Sequence, residues 1–212
     1  MSRQLIIYWD MSPPAAKRET IAFHEAGHAV AGLAVKRPFT RLSIEPVNGE
    51  PTGCKWTPNR VDEWVWIICS IAGPRAQIHF CPSSLPAEKL VLFRESVLLT
   101  ADQWTAYSYT GWFSGKKDNP LDLDPVLTLL QRPHWPVPGL RGVTVADLMS
   151  AVDTTLKEFF VRPNVVDAVK FTAEFLLKQP VVTGDALSGL TQHIQQRLNA
   201  DDYLAVLPAC VR

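Results

Sequence analysis

The segment TIAFHEAGHAVAGLAV, residues 20–35, sets two histidines, His24 and His28, four positions apart, with Glu25 directly after the first. Ile21, Phe23, Ala26, Val30, Leu33 and Val35 put apolar or small groups on every side of this segment. A helix that is apolar all round is a buried one. Its expected extent is 12–37, with Ser12 as cap, Pro13 in the first turn and Pro38 as the stop. On such a helix, positions i and i+4 share a face, about 6 Å apart at Cβ. Two imidazole nitrogens can then meet one zinc ion at about 2.1 Å each. Glu25 flanks the pair without ligating, where a carboxylate suits the role of base for a water made acidic by the metal. Two histidines and a glutamate in an apolar interior would be costly on their own, and a metal ion removes that cost. The spacing is the H-E-x-x-H arrangement.

Outward from this helix, residues 39–56 read as two short strands around a Gly/Pro/Asn turn. Residues 61–73 read as a second buried helix that Pro74 kinks or ends. Residues 87–109 have a helical pattern broken near Thr100, where TADQ resembles a capping box. Residues 114–142 hold Pro120, Pro125, Pro133, Pro136 and Pro138 and read as an irregular connection. Three helical segments follow, punctuated by Pro163 and Pro180. The expected fold class is mainly α with a small β element, an α+β domain.

Composition narrows the function classes. A chain of 212 residues with 47% hydrophobic content can bury a real core. Zero formal net charge argues against a broad nucleic-acid surface. No segment reaches the roughly 18 apolar residues of a membrane span, and the apolar run at the N-terminus is too short for a signal peptide. A cytoplasmic protein is the resulting expectation. Cys54, Cys69, Cys81 and Cys210 form no C-x-x-C pair, so they read as reduced, mostly buried thiols rather than a zinc knuckle.

The segment TIAFHEAGHAVAGLAV closely resembles the active-site helix of the FtsH-like ATP-dependent zinc metalloproteases. The likeness extends to RLSIEPVNGEPTGCKW, to IAGPRAQI and to LLTADQWTAYSY, where an aspartate opens a helix in the family. Carried over by position, the resemblance implies zinc ligands at His24, His28 and Asp102 and a catalytic base at Glu25. Glu63, His79 and Glu95 are the rival third ligands, and His79, His134 and His193 otherwise read as ordinary, partly exposed histidines. The implied organisation is an arm at 1–11, a zinc peptidase core at 12–113, the proline-rich connection, and helices at 143–200 packing on the core. The implied activity is hydrolysis of peptide bonds in unfolded or short polypeptides. Family members couple to an AAA-type ATPase and form hexameric rings. This chain is expected to work on its own or with a separate ATPase, and the family implies a homo-oligomer.

Two departures from the family pattern stand out. Gln77 and Ile78 replace paired glutamates, and Pro74 interrupts the helix before them. They motivate a second reading, a catalytically inactive zinc-binding interaction module. If the strand at 41–46 borders the cleft, its edge could pair with an extended peptide.

Overall fold

The computed structural model describes residues 14–49, 52–58, 63–82 and 145–204. Asp102, Glu95, His134, Cys210, the N-terminal arm and the proline-rich connection lie outside the described residues. The described part is mostly helical, with five α-helices and a three-stranded antiparallel sheet. It is an α+β fold.

The first helix, α1, spans Pro14–Ala34. Alanine, the best helix former, recurs along it, and Ala22, Ala26, Ala29, Ala31 and Ala34 are buried. The helix ends three residues earlier than the sequence suggests. Lys36 adopts a left-handed conformation at φ 59°. Its N–H donates to Leu33 O at 2.9 Å, and the N–H of Arg37 reaches back to Gly32 O at 2.7 Å. This is a Schellman closure with lysine in the seat that glycine usually takes. Pro38 explains the early stop, because the residue before a proline is pushed out of the helical region.

The hairpin follows as expected. Strand β1, Phe39–Ser43, pairs antiparallel with β2, Gly53–Trp56, and the turn between them uses positive φ at Asn48 and Gly49. A two-residue strand, β3, Val181–Val182, then pairs with Leu42 and Ser43 from the other side. The sheet order is therefore β2-β1-β3. This corrects the expectation of a peptide edge on the strand at 41–46. β1 is central, and its ladder is taken on both sides.

Helix α2, Glu63–Phe80, continues through Pro74. The reading of Pro74 as the end of this helix is thereby corrected. Proline removes one N–H from the ladder and costs about 3 kcal/mol in a helix interior. The packing of α2 on α1 outweighs it. Ile68, Ile71, Ala72 and Ala76 are fully buried there. The approach is close at Gly27, where an added Cβ would meet Ala76 Cβ and lie 2.8 Å from Ala72 O.

The C-terminal helices are α3, Val145–Phe160, α4, Pro163–Lys178, and α5, Gly184–Arg197. Buried Val165, Ala168, Val169, Thr172, Ala173 and Leu176 recur every three or four residues, the stripe that turns α4 inward. It packs against α1 and α5, while α3 packs against α2. Phe80 stacks on Phe23 at 5.3 Å between ring centroids and meets Phe160 edge-on at 6.2 Å, tying α1, α2 and α3 together. After a short 3-10 turn at Ala200–Asp202, the N–H of Leu204 donates to Ala34 O at 3.1 Å, returning the chain to the end of α1. Among the described residues, no helix is long and apolar enough to cross a membrane.

Candidate metal centre

Helix α1 carries all three residues of the motif into the interior. His24, Glu25 and His28 are 7%, 5% and 5% exposed. One turn apart, the two imidazoles face each other through their Nε2 atoms at 3.2 Å, with rings inclined at 76°. Their other nitrogens are tethered by α2. His28 Nδ1 lies 2.6 Å from the backbone oxygen of Cys69, and His24 Nδ1 lies 3.1 Å from Gln77 Oε1.

These contacts suit a metal-binding donor set. A backbone carbonyl can only accept, so His28 carries its proton on Nδ1 and turns the lone pair of Nε2 toward His24. With Gln77 Oε1 accepting from His24 Nδ1, the second Nε2 also presents a lone pair. In that tautomer two lone pairs face each other 3.2 Å apart, an arrangement that a cation between them would satisfy. Two nitrogens held at about 2.1 Å by one tetrahedral zinc lie about 3.4 Å from each other. The pair thus has the separation and the outer tethers that a histidine–zinc site needs. On these grounds the residues fit the metal that the sequence resemblance implies.

Gly73 completes the cradle. A Cβ built on it would lie 2.6 Å from His28 Cδ2 and 2.7 Å from Cε1, and closer still to Nε2. The shortness of both carbon distances puts that position over the face of the ring, because a point on the line of the Nε2 lone pair would lie much farther from Cδ2 and Cε1. Glycine lets α2 cover the ring face while the ligand direction stays clear. Cys69, Gly73 and Gln77 are spaced four apart, so one face of α2 supplies both tethers and the cover.

The neighbouring charges are also informative. Cys54 on β2 is half-buried and free, and burial first, then the negative charge of Glu25, pushes its thiol well above the ordinary value. The glutamate carboxylate therefore acts on the β2 side of α1. Burial pushes the Cys69 thiol up to about 11, against the pull of the hydrogen-bonded Arg37 guanidinium. Both thiols stay protonated near neutral pH. Arg37, 3% exposed, stacks on Trp56 at 4.5 Å, and Trp56 in turn covers Gly32.

His79 stands exposed beside Phe80 near the end of α2, where partial burial and then Arg75 lower its basicity. Exposed His193 lies against Phe171 on the C-terminal helices. Among the described residues, no cluster of three or more histidine, cysteine or carboxylate groups is arranged to hold a metal. Asp102, the expected third ligand, is outside them. The sequence reading took Gln77 only as a departure and did not single out Gly73 as a site residue. Their four-residue spacing from Cys69, opposite a H-E-x-x-H helix, is the signal that could have found them. No model of a known protein family and no curated protein matches the chain.

Proposed function

We propose that the chain is a zinc-dependent metalloendopeptidase that hydrolyses peptide bonds of unfolded or short polypeptides. The observation that carries this reading is the convergence of two buried imidazoles through Nε2, each tethered through Nδ1 to α2. His24 and His28 would hold zinc, with Asp102 as third ligand on the strength of the sequence resemblance. When bound, zinc supplies Lewis acidity, polarising a peptide carbonyl and making water acidic enough to lose a proton near neutral pH. The Glu25 carboxylate accepts that proton and returns it to the leaving amine. An extended substrate would pair with β2, which among the described residues has a neighbour strand on one side only. Cys54, on β2, feels the charge of Glu25, which favours this edge as the one on the side of the base.

The test is elemental analysis of undamaged protein followed by cleavage of casein before chelation, after it, and after zinc is restored. About one zinc per chain is expected, with turnover lost on chelation and regained with zinc. Metal retained without turnover would favour the interaction module, and metal-free protein would refute both. Asp102→Ala is expected to reduce zinc content sharply. Undiminished zinc in that variant would mean that another residue completes the site.

A further inference from the structure

We infer that Arg37 is a positioning residue that holds the Trp56 end of β2 in place, so that an extended substrate laid along this strand passes the metal site in one register. The inference rests on the zinc peptidase reading above, in which such a substrate pairs with β2. It follows from the place of one guanidinium between the end of α1, strand β2 and helix α2.

Arg37 belongs to the closing turn of α1, where its N–H donates to Gly32 O at 2.7 Å. The residue is 3% exposed, with Cζ 4.5 Å from the centre of the Trp56 ring. From the same position the guanidinium hydrogen-bonds the thiol of Cys69 on α2. The indole is seated by further neighbours. Gly32 leaves room for it, since a Cβ there would run into Cζ3 and Cη2. Phe39, paired with Trp56 on β1, meets it edge-on at 6.1 Å. The backbone repeats the link, because the N–H of Thr57 donates to Pro38 O at 3.1 Å. Trp56 is therefore the point where β2 is fastened to the metal helix.

An apolar side chain of similar length would fill this space without a buried charge, and such exchanges are often neutral for stability. The guanidinium offers a flat cationic face to an indole and N–H groups to a thiol at once. A lysine ammonium is a point charge and cannot do both. β2 has only 4 residues. In so short a strand, a slip at Trp56 carries to Gly53, and with it every main-chain group that a paired peptide would meet.

The test is steady-state kinetics of the zinc-loaded protein on a long unstructured peptide and on a tripeptide. Arg37→Met is expected to raise KM for the long peptide about five- to thirtyfold, the worth of a desolvated cation–π contact, with kcat within about threefold of the parent. Arg37→Lys should raise KM in the same way, and it is the second variant if Arg37→Met fails to fold. The tripeptide makes fewer main-chain bonds to β2 and should show a smaller rise. Zinc per chain should stay at the parental value in both variants. Parental KM in either variant overturns the inference and leaves the zinc reading intact. So does a fall in kcat or in zinc content with KM unmoved, which would put the role of Arg37 at the metal and not at β2. If the parent turns over neither peptide, the peptidase reading falls, and affinity for the fluorescein-labelled long peptide is measured by anisotropy instead. Weaker binding by the variants then upholds the hold of Arg37 on β2, and equal binding or none overturns it.

Discussion

Glu25→Gln is expected to lower turnover of an unfolded protein by about 100- to 10,000-fold, the range lost when a positioned general base is removed. Zinc content should not change, because Glu25 flanks the ligands and is not one of them. Glutamine keeps the volume and the hydrogen-bonding reach of the side chain but cannot take a proton. The fold should not suffer either. Glu25 is 5% exposed, and glutamine at this buried position is close to isosteric, so it opens no cavity and forces no clash. An independent readout comes from Cys54. The charge of Glu25 helps to raise that thiol, so its removal should lower the pH at which Cys54 reacts with a thiol reagent. Turnover within about tenfold of the parent would remove Glu25 from the mechanism. An unmoved Cys54 would mean that the carboxylate does not lie on the β2 side of α1.

The motif on α1 was legible because its chemistry is local. Spacing of four puts His24 and His28 on one face whatever surrounds them, and the all-round apolar sequence announces burial. The hairpin was legible for the same reason, since Asn48 and Gly49 announce a turn. What escaped the sequence depends on partners far along the chain. Pro74 looked like a helix stop because intrinsic propensity is all that one segment reveals, whereas the packing of α2 on α1 decides the outcome. β3 is two residues long and exists only because Leu42 and Ser43 are there to pair with it. That pairing in turn closes the edge of β1. Gln77 looked like erosion of a family pattern, and only the antiparallel packing of α1 on α2 reveals it as the tether of His24. The order of contacts gives that direction: Phe23 meets Phe80, His24 meets Gln77, and His28 meets Cys69.

The same packing makes Gly73→Ala the most damaging of the small substitutions near the site. A methyl group at 73 would stand 2.6 Å from His28 Cδ2 and 2.7 Å from Cε1, well inside contact distance. The ring cannot step aside freely, because it is buried and its Nδ1 is held 2.6 Å from Cys69 O, four residues earlier on the same helix. Nor can α2 simply lift away, because Ala72 and Ala76 are seated against Gly27 at the same level. Overpacking of this kind costs about 1–3 kcal/mol. For a chain of this size that is roughly 2–4 °C in Tm for each kcal/mol. The proposed metal site should lose more than the fold. If the ring turns to admit the methyl group, Nε2 no longer converges with that of His24, and zinc affinity should fall by about 100-fold or more, beyond the loss of an outer-shell tether alone. Gly189→Ala is the matched control. It lies within α5, a Cβ there meets nothing within 4 Å, and alanine should be neutral or stabilising by about 0.5–1 kcal/mol. Thermal melts with and without added zinc, beside a chelator competition, separate the two effects. Melting should fall modestly in Gly73→Ala, and the upward shift that zinc gives the parent should disappear. A Gly73→Ala protein that melts like the parent and binds zinc as tightly would show that α2 does not cover the His28 ring, and the tethering of both imidazoles by that helix would fall with it.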